Sequence, residues 1–228
     1  MQILIVFLFS MVFSTASIQI LALENEMIEQ NEEVDLLANV EFKCFIDEFT
    51  ARVKATSHLP LAEQRQLDAA YTSKKNKSYE SVHRIENLEI LDLEGNKIPL
   101  RVYIPNQSKN LPVIMYFHGG GWVFGGIEEA DAVCRRFANH LGCIISSVGY
   151  RLAPEFPFPK PLEDCYFATK WMSENAYLFG GDNKNIIVSG ESAGGNLAAA
   201  VAFMSRDKQG PKLSAQLLMY PAVSSLVR

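Results

Sequence analysis

The chain of 228 residues has no cluster of Lys and Arg dense enough to follow a phosphate backbone, and its 21 basic residues are outnumbered by 26 acidic ones. Nucleic acid is therefore excluded as an expected partner. Cys44, Cys134, Cys143 and Cys165 form no C-x-x-C pair, and no His stands at metal-ligand spacing, which argues against a zinc site or a thioredoxin-like motif. Three of the four cysteines lie in apolar surroundings and are expected as buried free thiols. No Gly-x4-Gly precedes a Lys, and the G-x-G pair Gly119 and Gly121 has Phe124 where a third Gly would stand, so both nucleotide-binding fingerprints fail. Internal repeats and low-complexity stretches are absent too. With 48% hydrophobic and 21% charged residues, the composition is that of a globular α/β chain with a real core.

Residues Met1 to Leu23 contain no charged side chain, and the apolar run Ile3 to Phe13 leads into Ser14, Thr15, Ala16 and Ser17. That pattern reads as a signal peptide, or as an uncleaved N-terminal anchor. Export or membrane association is the expectation, with a cytoplasmic chain as the alternative. Sequons stand at Asn76-Lys77-Ser78 and Asn106-Gln107-Ser108.

Residues 24–83 read as a helical segment outside the main sheet, with apolar residues from Val34 to Phe49 at helical spacing and a second helix after Pro60. From residue 84 the pattern changes. Ile85 to Leu93 and Lys97 to Ile104 flank a Glu94-Gly95-Asn96 turn, predicting a hairpin. Strand-like runs at Val113 to Phe117, Cys143 to Val148, Asn185 to Ser189 and Ala215 to Tyr220 then alternate with helical stretches at Glu128 to His140, Pro161 to Asn175 and Ala193 to Arg206. This alternation predicts βαβ units and a mostly parallel sheet of about six strands.

Three motifs carry chemistry. Gly190-Glu191-Ser192-Ala193-Gly194-Gly195 fits G-x-S-x-G where a strand runs into a helix. Such a turn strains the serine backbone and leaves no room for side chains at Gly190 and Gly194. It lifts the Ser192 hydroxyl above the sheet, at the positive end of the helix. The bland alternative is an ordinary glycine-rich strand-to-helix turn.

His118-Gly119-Gly120-Gly121-Trp122 directly follows an apolar strand. Unshielded N–H groups in such a run can approach a ligand oxygen, so Gly120 and Gly121, with the Ala193 N–H, form a candidate oxyanion hole. A flexible glycine turn is the alternative. Third, Tyr150-Arg151-Leu152-Ala153-Pro154-Glu155 opens a loop with four prolines in eight residues, a stiff scaffold in which Arg151 and Glu155 are expected to pair. Trp122, Phe124 and Phe158 are candidates for lining an acyl pocket, against the commoner role of aromatic residues as core.

In this order and spacing, H-G-G-G-W, Y-R-L-A-P-E and G-E-S-A-G-G-N resemble the hormone-sensitive-lipase-like family of α/β-hydrolase esterases, over about residues 84–221. The resemblance implies an α/β-hydrolase core over 84–228, six strands of the usual eight, with residues 24–83 as an N-terminal cap. It also implies ester hydrolysis without cofactor or metal, on a small acyl ester, with Ser192 as nucleophile and Gly119, Gly120, Gly121 and Ala193 around the oxyanion. His118, Gly190, Glu191 and Gly194 would support the motifs. In that family an Asp and then a His follow the nucleophile. Here no His follows Ser192, and Asp207 is the only acidic residue after it. His58, His83, His118 and His140 all lie upstream and are expected to be structural or exposed. Acid and base are therefore expected from sequence beyond Arg228, and the 228 residues alone are expected to hydrolyse p-nitrophenyl butyrate barely or not at all. A non-catalytic ligand-binding protein of the same fold is the alternative.

Overall fold

The computed structural model describes residues 40–75 and 79–223. The apolar leader, the acidic stretch after it and the Asn76 sequon lie outside the described residues. Helices α1 (Val40–Thr56) and α2 (Leu61–Lys75) form an antiparallel pair outside the sheet. Arg52 on α1 is ion-paired with Asp68 on α2 and lies 4.2 Å over the Tyr71 ring. The first helix runs on to Thr56, beyond the apolar stretch that announces it, and Thr56 Oγ1 donates to the Arg52 carbonyl in its last turn.

Strands β1 (Arg84–Leu91) and β2 (Lys97–Ile104) make the expected hairpin. The strand stops at Leu91 because Asp92 turns the chain: its carboxylate accepts from the Glu94 and Asn96 backbone N–H groups and from Asn96 Nδ2. There follow β3 (Leu111–Phe117), α3 (Ile127–Leu141), β4 (Ile144–Val148), α4 (Lys160–Asn175), a short 3-10 turn (Ala176–Phe179), β5 (Gly181–Glu191), α5 (Ala193–Asp207) and β6 (Leu213–Met219). Strand β5 starts earlier than its apolar run, because Gly181 pairs with Leu111 across a register break.

The sheet order is β1-β2-β4-β3-β5-β6, antiparallel at the hairpin and at β2/β4 and parallel from β4 to β6. Alternation along β3 divides the core between the two faces. Val113, Met115 and Phe117 pack with Cys165, Ala168 and Met172 of α4 and Leu197, Ala198 and Val201 of α5. Ile114 and Tyr116 pack with Ala130, Cys134 and Ala138 of α3. Helix α3 ends on Gly142 in the left-handed conformation, whose N–H caps the Ala138 carbonyl. Cys134, Cys143 and Cys165 are buried free thiols, and Cys44 is exposed.

Among the described residues no helix is long and apolar enough to cross a membrane, and no His, Cys, Asp and Glu side chains group to hold a metal ion.

Candidate active site

Parallel pairing sets Phe117 opposite Gly190, so β3 and β5 end together at the same edge of the sheet. The glycine loop leaving β3 is thereby placed beside the turn leaving β5. In that turn Ser192 has φ 52° and ψ −117°, a strained left-handed conformation for a residue with a side chain. Surrounding bonds hold the strain: the Ser192 N–H donates to Met219 O at 3.0 Å, and the Ser192 carbonyl accepts from Asn196 N and Ala222 N. Ser192 is 7% exposed and immediately precedes the N-terminus of α5.

The glycines on either side are required by space. A Cβ on Gly190 would meet the Gly194 carbonyl at 2.4 Å, and one on Gly194 would meet the Phe117 carbonyl oxygen at 2.0 Å. In the loop, Gly120 and Gly121 have φ of 117° and 59°, and Trp122 follows at 61°. The Gly120 carbonyl accepts from Val123 N and Phe124 N, closing a turn, and a Cβ on Gly120 would stand 2.0 Å from Phe124 O.

His118 anchors this loop. Its ring is buried and stacked on Tyr150, with ring centroids 4.2 Å apart, and its Nδ1 lies 2.7 Å from Gly119 O. The Tyr150 hydroxyl donates to the His118 carbonyl at 2.7 Å. With that proton spent, Nδ1 is assigned the hydrogen that bonds Gly119, fixing the tautomer. Burial holds the imidazole down at about 4, so it is neutral near pH 7.

Glu191 accepts from the hydroxyls of Tyr116 (3.1 Å) and Tyr220 (2.5 Å). Burial, and then the carboxylate, hold both phenols above their ordinary range, so they remain donors. The Glu191 side chain also lies against Gly119, where an added Cβ would meet its Cγ at 3.1 Å.

The expected Arg151–Glu155 pair does not form. Arg151 instead grips buried Asp164 of α4, through Nε at 2.9 Å and Nη2 at 2.5 Å, and reaches Asp92 at 3.4 Å. Glu155 takes a two-pronged bond from Arg65 of α2. The prolines turn the chain so that the two side chains face different partners. No local pattern in the sequence announces either contact, because the partners lie 13 and 90 residues away. Among the aromatic candidates, Phe124 is buried and Trp122 packs against the core, while Phe158 is 81% exposed.

The other histidines lie outside the three motifs. His83 immediately precedes β1, whose start shares the sheet end where β3 begins, opposite the turn. His140 is at the end of α3 beside Glu80, and exposed His58 is in the α1–α2 connection. Asp207 closes α5, a 15-residue helix, and is therefore about 20 Å from Ser192. A surface hollow of about 560 Å³ between β1, β2 and α3 touches none of the motif residues.

A mostly parallel sheet that delivers a strained serine between two glycines to a helix N-terminus, beside a triple-glycine loop, is the architecture of the α/β-hydrolase fold. A family profile of the alpha/beta hydrolase fold matches residues 114–227, and the chain belongs to that family, in its hormone-sensitive-lipase-like group. It is 50% identical over 125 residues to the carboxylesterase NlhH of Mycobacterium tuberculosis, covering 54% of this chain and 39% of that protein. It is 42% identical over 149 residues to the arylacetamide deacetylase of Oryctolagus cuniculus, covering 62% of this chain and 37% of that one. Among solved structures, the Pyrobaculum calidifontis esterase superposes with a TM-score of 0.68 at 43% identity, covering 73% of this chain and 54% of that chain. The chain thus spans less than half the length of these curated relatives.

Proposed function

We propose that the protein is a serine carboxylesterase acting on short- to medium-chain acyl esters through an acyl-enzyme on Ser192. The Ser192 oxygen attacks the ester carbonyl and gives up its proton to a general base. The carbonyl electrons move onto oxygen, and the alcohol leaves as the tetrahedral intermediate collapses; water then releases the acid. The N–H groups of Gly120, Gly121 and Ala193 are assigned to the oxyanion, with Gly119 giving the loop its close approach to the elbow. His118, Gly190, Glu191 and Gly194 hold this arrangement without touching substrate. No cofactor or metal enters the cycle.

The observation that carries this reading is the left-handed Ser192 at the start of α5, beside a glycine loop fixed by His118. The relatives' names support the ester as substrate class. None of the four histidines is assigned as the base. That same observation favours the alternative, a non-catalytic protein that binds an acyl ligand. The N-terminal apolar segment supports export or membrane attachment, with residues 24–83 as a cap.

Hydrolysis of p-nitrophenyl butyrate by the protein at the length its source makes separates the two. The esterase reading expects turnover that falls by about 10³-fold or more in Ser192→Ala. Turnover that survives this change, or none in the parent protein, contradicts it.

A further inference from the structure

Arg65 lies on α2, outside the region matched by the family profile, yet its guanidinium is spent on the two loops that flank the site. Nε donates to Val123 O at 2.8 Å, within the glycine-loop turn closed on Gly120. Nη2 donates to Ala153 O at 2.8 Å in the proline-rich loop, and Nη1 and Nη2 each hold one oxygen of Glu155 at 2.9 Å. The same loops are joined directly by the Ala153 N–H donating to Trp122 O at 2.9 Å. Arg65 therefore spans a seam between two loops.

That seam is where support is needed. Gly120, Gly121, Trp122 and Gly125 all have positive φ, and Trp122 carries a side chain in that conformation. Such backbone persists only where its surroundings over-determine it. On one side the loop is held by His118 and Tyr150, described above. On the other, the side-chain bond comes from Arg65. The fork geometry matters, because one planar group serves two carbonyls and a carboxylate, which a lysine ammonium cannot do.

We propose that Arg65 is a positioning residue: from the N-terminal helix pair it clamps the glycine loop to the proline-rich loop and so sets the angle of the Gly120 and Gly121 amides. Its effect on catalysis rests on the esterase reading; its effect on the loop does not.

Hydrogen exchange on the full chain tests the clamp. In Arg65→Ala, and nearly as much in Arg65→Lys, the amides of residues 121–124 and of Ala153, Glu155 and Phe156 are expected to exchange at least tenfold faster, with β3 and β5 unchanged. Exchange within twofold of the parent at both loops overturns the proposal. Should Arg65→Ala fail to fold, Glu155→Gln weakens the same clamp from the other side, with an expected threefold change at Ala153, Glu155 and Phe156; none overturns it. At the source's own length, Arg65→Ala is expected to lower kcat for p-nitrophenyl butyrate tenfold with KM within twofold. A change in KM alone overturns the positioning role. If the parent shows no turnover, the esterase reading fails, and the exchange result still decides the clamp.

Discussion

Gly194 and Phe117 touch: a methyl group on Gly194 would stand 2.0 Å from the Phe117 carbonyl oxygen. This contact locks the start of α5 onto the end of β3, and through it the elbow onto the glycine loop. Because both partners are backbone, neither can yield cheaply. Gly194→Ala is expected to cost about 3 kcal/mol or to prevent folding. Gly119→Ala crowds Glu191 less severely, with its Cγ at 3.1 Å and its carbonyl oxygen at 3.3 Å, and is expected to cost about 1 kcal/mol. Urea melts of the two variants check the difference, and equal costs would contradict it.

His118 makes stability depend on acid. Burial holds its imidazole at about 4, below the ordinary 6.5, so the unfolded chain binds a proton that the folded chain refuses. Stability is therefore full above pH 6.5 and is lost as pH falls toward 4, by about 3 kcal/mol over that window. A His118→Gln variant is expected to lose correspondingly less between pH 7 and pH 4 in denaturant titrations. An identical pH slope in both proteins would rule the account out.

Arg151 and Asp164 form the tightest ion pair behind the site, with Asp164 1% exposed. Neutralising the acid leaves a guanidinium poorly matched in a largely buried setting, so Asp164→Asn is expected to cost about 3 kcal/mol. Asp207, exposed and paired with neighbouring Arg206, serves as control. Its change to Asn is expected to leave the melting temperature essentially unchanged, because an exposed pair is screened by solvent. Thermal melts showing comparable losses would contradict this ranking.

The thiols offer a chemical check on burial. Cys44 is exposed, while burial pushes the Cys134 and Cys165 thiols well up and raises Cys143. Ellman's reagent is expected to titrate one thiol rapidly in the native chain and all four in denaturant. More than one fast thiol would mean that the packing of α3 or α4 on the sheet is looser than described.

The alternation of apolar runs and helical periods made the sheet legible, because burial on both faces imposes continuous apolar strands such as Val113 to Phe117. Ser192, Gly190 and Gly194 were legible for a steric reason, since only that residue pattern fits the turn. What stayed hidden is long-range and polar. Arg65 reaches carbonyls of Val123 and Ala153, and a carbonyl has no residue type to recognise. Tyr150 bonding the His118 carbonyl is hidden likewise. The expected Arg151–Glu155 pair failed because proximity in sequence says little where prolines redirect the chain.

The central claim is that Ser192 is a nucleophile, and covalent labelling tests it most directly. The protein at its source's length is treated with a fluorophosphonate, and the site of the added mass is mapped by peptide sequencing. The account predicts one adduct, on Ser192, absent in Ser192→Ala. An unlabelled protein, or an adduct on another residue that survives Ser192→Ala, would contradict it.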